Sequence, residues 1–439
     1  MYKRSFVAGA LSIALVAAAT ACSSSASDKA ATPGANSDQP VTITVWGWDG
    51  TVEAAVPGFE KTHPNIKVDV VNAGSSFDEY QALDNAIQAG SGVPDLAMFE
   101  YFSVSYFAIP GKLTDLSKFG AKDFESDYVP GAWNNVVLGD GVYALPSDYG
   151  PAVMFYNMDT FAKAGIDSPP KTWEEYYQDA KAIHALGSDY YIMNDNADIF
   201  LLQSLIWQSG GRPFKVDGYD VNIDFSQPYT KRAVDYWQRM LDEGLVTTSF
   251  AAWSDDWNRT LNNGTLATQL IGGWFTSTLP ERAPEQKGNF RVAPLPQWKD
   301  GQNVGAENGG SAFGIPKDAP HPDAAYQFLE YFTHGDGVQT RVDQGAFVPN
   351  VAVLNDPAFL SHTDAYFGDQ EYRKVLAEAS KDVATGWQYP PFFEWARSVY
   401  GDIAIPYYTT GKGSLEGILD EWKKQMTAYG NDQGFTVNK

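Results

Sequence analysis

Leu145-Pro-Ser-Asp-Tyr-Gly-Pro-Ala-Val-Met-Phe-Tyr-Asn157 sets a short polar and aromatic turn between two prolines and runs straight on into an apolar, strand-like stretch over 152–156. A segment of this kind can leave one sheet and enter another. Asp148 and Tyr149 would then stand where two lobes face each other, a common place for a ligand cleft. The same pattern also describes a surface loop ahead of a buried strand.

On the N-terminal side, β-branched and apolar residues predict strands over 41–46, 66–71 and 95–99. Val52, Ala55 and Phe59 share one face of a helix over 51–63 that Pro57 should kink, and a second helix over 78–89 is stopped by Gly90. This β-α-β-α-β alternation predicts a parallel sheet with helices on both faces. Ligands of such sheets bind beyond the carboxyl ends of the strands, here residues 46–49, 73–77 and 100–101. Trp48, Asp49, Ser76, Glu100 and Tyr101 are therefore candidates.

On the C-terminal side, Thr172-Trp-Glu-Glu175 is a capping box opening a helix, and further helices are expected over 199–208, 230–242, from Pro322 and from Ser414. A strand over 266–271 runs into Gly272-Gly273-Trp274. Strands over 290–296 and 310–316 are expected to return to the first lobe. Trp207 reads as core. Trp253 and Trp257 describe equally well an exposed face at the cleft or a buried packing pair.

A chain of 439 residues is long enough for two large lobes. Its 54 acidic against 31 basic residues, a formal charge of -23, argue against nucleic acid and against anionic ligands steered in by the field of the whole protein. The 13 Trp, 24 Tyr and 25 Phe either fill cores or line sites for planar ligands and sugars. Residues 1–21 have the charge, apolar run and small residues of a secretory signal. Cys22 is the only cysteine, which excludes an internal disulfide. Ala18-Ala-Thr-Ala-Cys22 resembles a bacterial lipobox, which implies lipid attachment at Cys22 and a membrane anchor. Residues 22–40 have the composition of a flexible tether.

No HExxH, GxSxG, GxxxxGK[ST] or strand-borne GxGxxG pattern is present, so zinc, serine-hydrolase and nucleotide chemistry have no support. Asn194-Asp-Asn-Ala-Asp198 has some likeness to a calcium loop but lacks its glycine and closing glutamate. No metal site and no cofactor are expected. The abundant carboxylates leave a glycosidase pair open.

The lipid-type Cys22, Ile43-Thr-Val-Trp46, Phe59-Glu-Lys-Thr-His-Pro-Asn-Ile-Lys-Val68, Pro94-Asp-Leu-Ala-Met98, Phe155-Tyr-Asn157, Gln208-Ser-Gly-Gly211, Ile271-Gly-Gly-Trp274 and Gly309-Gly-Ser-Ala-Phe-Gly-Ile-Pro316 occur in order along the chain. Together they resemble extracellular solute-binding proteins of ABC sugar importers, among them the maltodextrin-binding proteins. The resemblance implies an α/β fold of two lobes with mixed sheets, 41–147 plus 291–335 and 148–290 plus 336–439, hinged at crossings near 145–150, 287–292 and 333–339. It implies a monomeric receptor outside the cytoplasmic membrane that hands an oligosaccharide to permease subunits and is not an enzyme. Polar ligands would map to Asp49, Glu100, Tyr101, Asp148 and Tyr149, and aromatic platforms to Trp274 and the region of Tyr389 and Phe392. Trp253 and Trp257, with Glu307 and Asn308 ahead of Gly309, complete the candidates. Trp46, Trp48, Glu307 and Asn308 depart from the maltodextrin pattern, which points away from an α-glucan. The alternatives are a receptor of the same fold for a cationic solute such as a polyamine, held by carboxylates and aromatic rings, and an extracellular carbohydrate-active enzyme.

Overall fold

The computed structural model describes residues 40–438; the expected signal segment, Cys22 and the tether before Pro40 lie outside the described residues. Alternation makes Val41–Trp46 a strand (β1), whose Ile43 and Val45 enter the core while Thr42 stays exposed. Helix α1 (Thr51–Thr62) continues through Pro57 and buries Val52, Ala55 and Phe59. Strand β2 (Ile66–Val71) lies parallel to β1, Val41 opposite Ile66 and Trp46 opposite Val71. Helix α2 (Phe77–Ala89) ends at Gly90, which adopts the left-handed conformation (φ 63°) and turns its N–H back to the last carbonyls. Strand β3 (Leu96–Glu100) pairs with the other edge of β1 and leads directly into α3 (Tyr101–Ala108). A short helix α4 (Pro130–Asn134) and strand β4 (Leu145–Pro146) follow.

Beyond the 147–151 crossing, β5 (Ala152–Asn157) is buried along its whole length. Helix α5 (Trp173–His184) starts where the Thr172 hydroxyl accepts the Glu175 N–H; the Glu175 carboxylate takes the Lys171 N–H, one residue earlier than the capping box predicts. Helix α6 (Ile199–Ser209) precedes the hairpin of β6 (Phe214–Asp217) and β7 (Asp220–Ile223). Then come β8 (Thr268–Gly272), α7 (Phe275–Arg282), β9 (Phe290–Pro294), β10 (Ser311–Gly314), α8 (Pro322–Thr333), α9 (Gly337–Asp343), α10 (Phe393–Thr410) and α11 (Leu415–Asp432).

The first sheet has the order β2-β1-β3-β10-β4, with β10 antiparallel to both its neighbours; the second is an antiparallel β8-β5-β9. This corrects the expectation for 290–296. Strand β9 lies beside β5, Val292 opposite Phe155, and only β10 returns to the first sheet. β5 is buried on both faces and both of its edges need partners, a demand that local alternation does not reveal. The crossing expected over 287–292 is therefore the segment ahead of β10. The one expected over 333–339 is also displaced, because α9 packs on α1 and its Arg341 pairs with Asp49.

Two crossings are hydrogen-bonded to one another. Pro151 bridges Glu307, the Ala152 N–H donates to the Ala306 carbonyl (2.9 Å), and the Asn308 N–H donates to the Gly150 carbonyl (2.8 Å). The Tyr149 N–H donates to the Phe347 carbonyl at 3.0 Å. Position 150 has to be glycine for space: a Cβ there would lie 2.5 Å from the Asn308 oxygen and 2.6 Å from the Gly309 oxygen.

Candidate functional site

The carboxyl ends of β1, β2 and β3 bring Trp48, Ser76 and Glu100 to one end of the first lobe. Trp48 is half-buried and meets Tyr80 edge to face, centroids 6.1 Å apart. Tyr80 accepts the Glu100 N–H at 2.7 Å and so ties α2 to the end of β3. Ser76 has a positive φ (51°), unusual for a residue with a side chain and a mark of imposed geometry. Its hydroxyl accepts from Arg397 Nη2 of α10 at 2.9 Å, a contact from the second lobe. Arg397 is forked onto Glu394 of the same helix (2.9 and 2.6 Å). Burial, opposed by hydrogen bonding from Ser76 and by the Arg397 charge, pushes the Glu100 carboxyl up to about 7. The first lobe also touches the second through Phe102 of α3, whose ring lies 5.3 Å from Phe200 and 5.7 Å from Phe393.

In the second lobe Trp274 is half-buried, its Nε1 donating to the Asn308 carbonyl at 2.8 Å. Gly272 and Gly309 make room for it, since a Cβ at either would come within 2.3 or 2.8 Å of that nitrogen. Trp253, 43% exposed, stacks alongside at 6.0 Å and 23°. Trp48, Asp49 and Met98 of the first lobe, Asp148 of the crossing and Ser277 and Thr278 of α7 line an open cavity of about 500 Å³ between the lobes. A groove of about 650 Å³ around Lys215, Asp224 and Lys423 is lined only by the second lobe.

Several candidates stand elsewhere or are occupied. Trp257 has no exposure, and its Nε1 donates to Asn194 Oδ1 at 3.0 Å, so it is core. Phe392, 2% exposed, packs against Tyr429 and Phe435, away from the cavity. Tyr149 is fully buried at the crossing beside Glu307, which is itself buried and takes both its bonds from Asn135 Nδ2 (3.0 Å). Burial pushes the Glu307 carboxyl well up. Tyr101 is buried and donates its hydroxyl to the Asp148 carbonyl at 2.8 Å. Asp148 holds the Ser311 N–H and hydroxyl with one oxygen. Asn308 is buried and serves Trp274 through its carbonyl. Tyr389, half-buried, faces Phe102 from the second lobe.

Asp49 is also committed. Burial raises its pKa, but the Arg341 guanidinium and two Thr51 bonds outweigh it and hold the carboxyl below its ordinary value. In the 194–198 loop, Asp195 is taken by Trp237 Nε1 and the Tyr408 hydroxyl, and Asp198 caps α6. Arg397, Glu394, Tyr80 and Arg341 are absent from the sequence-derived candidates. Glu394 and Arg397 could have been found from the ion-pair spacing at the start of a helix near Tyr389, but nothing local aims that helix at Ser76.

The sequence profile for bacterial extracellular solute-binding protein matches residues 47–339, more than half of the chain. The chain belongs to this family. Among solved structures of the family's fold, it is 41% identical to the ABC transporter associated binding protein from B. animalis subsp. lactis Bl-04 in complex with β-1,6-galactobiose, with a TM-score of 0.82, covering 91% of this chain and 100% of that one. It is 25% identical to the galacto-N-biose-/lacto-N-biose I-binding protein of the ABC transporter from Bifidobacterium longum, in complex with lacto-N-biose, with a TM-score of 0.79 and coverage of 92% and 100%. The arabinooligosaccharide-binding protein of Bacillus subtilis is 26% identical over 301 residues, 66% of this chain and 68% of that one. The family's two-lobed fold is therefore the fold of this solute-binding protein, and its relatives are binding proteins.

Proposed function

We propose that this protein is the substrate-binding lipoprotein of an ABC importer, capturing a neutral oligosaccharide between its lobes and delivering it to a membrane permease. The observation that carries this reading is the 41%-identical relative, matched over its whole length, with β-1,6-galactobiose bound. The charge pattern supports a neutral ligand over a polyamine. Asp49 is paired with Arg341, Glu394 with Arg397, and Glu307 is buried, so these carboxylates are not free to hold a cation. Trp48 and Trp274 are the rings offered to the apolar faces of the sugar, with Glu100, Ser76 and Asp148 nearby for its hydroxyls. Anchoring is through Cys22, so Cys22→Ala should release the protein from the membrane fraction.

The test is calorimetric titration with β-1,6-galactobiose, arabinooligosaccharides and spermidine. Sugar binding that Trp274→Ala weakens about thirtyfold, the usual cost of losing a central aromatic anchor, is the expected result. Heat with spermidine alone, or release of monosaccharides from the sugars, would replace this reading with one of its rivals.

A further inference from the structure

Glu100, at the carboxyl end of β3, stands where the two lobes meet. From its own lobe it faces Ser76 and Tyr80, whose hydroxyl lies 3.4 Å from Glu100 Oε2. From the second lobe it faces Glu394 and Arg397 of α10 and Tyr389 just ahead of that helix. Contact between the lobes is close here. Arg397 reaches the Ser76 hydroxyl at 2.9 Å and lies over the Phe102 ring, 5.2 Å from its centre, so α10 packs against the start of α3.

Charge does not balance in this cluster. Two carboxylates meet one guanidinium, and the Arg397 fork is spent on both oxygens of Glu394, at 2.9 and 2.6 Å. Glu100 is left with hydroxyls, and no ion pair reaches it among the described residues. An excess negative charge in a site from which water is largely excluded is costly, and a proton removes it.

The effect of lobe closure on this carboxyl follows from the same arrangement. Arg397 and Glu394 ride on one helix, so movement of the second lobe carries them as a pair of zero net charge. Bringing up that pair, with the Phe200 and Phe393 rings that meet Phe102, takes water from Glu100 and returns little attraction. The protonated form is thereby favoured. The Glu100 carboxyl, raised to about 7, fits this balance, since burial is the largest influence and outweighs the Ser76 bond and the Arg397 charge.

We propose that Glu100 is a proton site coupled to sugar capture: the lobes close on the sugar with uptake of a proton by Glu100, so that the receptor loads better in an acidic medium than in a neutral or alkaline one. The proposal rests on the receptor reading above and deepens it. Its sign comes from linkage. A carboxyl whose pKa is raised by closure stabilises the closed form fully below its open-state value, and that contribution is lost as pH rises through the closed-state value, about 7.

The experiment titrates the protein with β-1,6-galactobiose and with arabinooligosaccharides, in buffers of different ionisation enthalpy, so that the heats report the protons exchanged. Affinity should fall at least about tenfold from pH 5 to pH 8, with uptake of roughly one proton per sugar near pH 6. Glu394→Gln frees the Arg397 fork to pair with Glu100 and should cut both the uptake and the pH slope to less than about half. Glu100→Gln should abolish them. Sugar binding without proton uptake, or affinity that rises with pH, overturns the proposal and leaves the receptor reading standing. Uptake unchanged in Glu394→Gln overturns it as well, and uptake that persists in Glu100→Gln would assign the proton to Asp148 or Glu307 instead. Absence of binding by these sugars at every pH overturns the receptor reading and the proton site together.

Discussion

Replacing Arg341 with methionine tests the reading of Asp49 as a structural group. Arg341 has no exposure, and its donors reach Thr51 Oγ1 (3.1 Å), the Ser147 carbonyl (3.1 Å) and hydroxyl (2.8 Å), the Phe332 carbonyl (3.2 Å) and Asp49 Oδ2 (2.7 Å). The guanidinium thus uses all five of its N–H groups to join the turn after β1, the start of α1, the end of α8 and the first crossing. Methionine keeps the volume, leaves Asp49 charged with its side chain only 15% exposed, and strands the Ser147 and Phe332 carbonyls. Removing one partner of such a pair costs about 3–5 kcal/mol. Asp49→Asn keeps an acceptor for Thr51 and should cost about half as much, and the double variant should fall short of the sum by about 1–3 kcal/mol. Urea unfolding of the four proteins at pH 7 measures these values. The pH dependence has a definite sign. The folded pKa of Asp49 lies below its unfolded value, so the stabilisation is complete above that unfolded value, about 4, and is lost as pH falls through the folded one. The gap between wild type and Arg341→Met should therefore narrow in acid. A cost under about 1 kcal/mol at pH 7, or strict additivity, would show that the pair does not organise the turn.

Glu100, with its carboxyl at about 7, binds a proton in the folded state between its unfolded pKa and pH 7. Its contribution to stability therefore falls as pH rises across that window, and Glu100→Gln should flatten the slope in melts from pH 5 to 8. Trp257→Phe should lower stability by about 1–2 kcal/mol through the lost Asn194 bond and leave sugar affinity unchanged, as chemical denaturation and titration together would establish. Gly309→Ala puts a Cβ at φ 80° and 2.8 Å from Trp274 Nε1, so both the melting temperature and sugar affinity should drop; unchanged affinity would mean that the indole can move freely.

The first lobe was legible in the sequence because β1, β2 and β3 follow the local alternation and the helix ahead of β3 carries its own stop signal at Gly90. The turn over 147–150 was legible as a crossing for the same reason, being bounded by prolines. Strand β9 was not. Phe290–Pro294 and Ser311–Gly314 are both short and apolar, and only the unfilled edge of β5 decides which of them stays in the second sheet. Aromatic identity likewise did not separate the half-buried Trp274 from the fully buried Trp257 four residues after Trp253, since both types of position accept an indole. The engagement of the carboxylates was hidden for a related reason. Asp49 and Glu307 sit in polar-looking turns, yet their partners Arg341 and Asn135 are remote in the chain and leave them engaged.

The pairing of Pro151 with Glu307 makes the first two crossings a single two-stranded ribbon. A ribbon resists bending in its own plane, where its hydrogen bonds would stretch, and yields to torsion about its length. The lobes are thus coupled as two plates on a torsion bar, with the Tyr149 to Phe347 bond as a stay on a third line. A change in the angle between the lobes is therefore expected as twist along that bar rather than as bending across it.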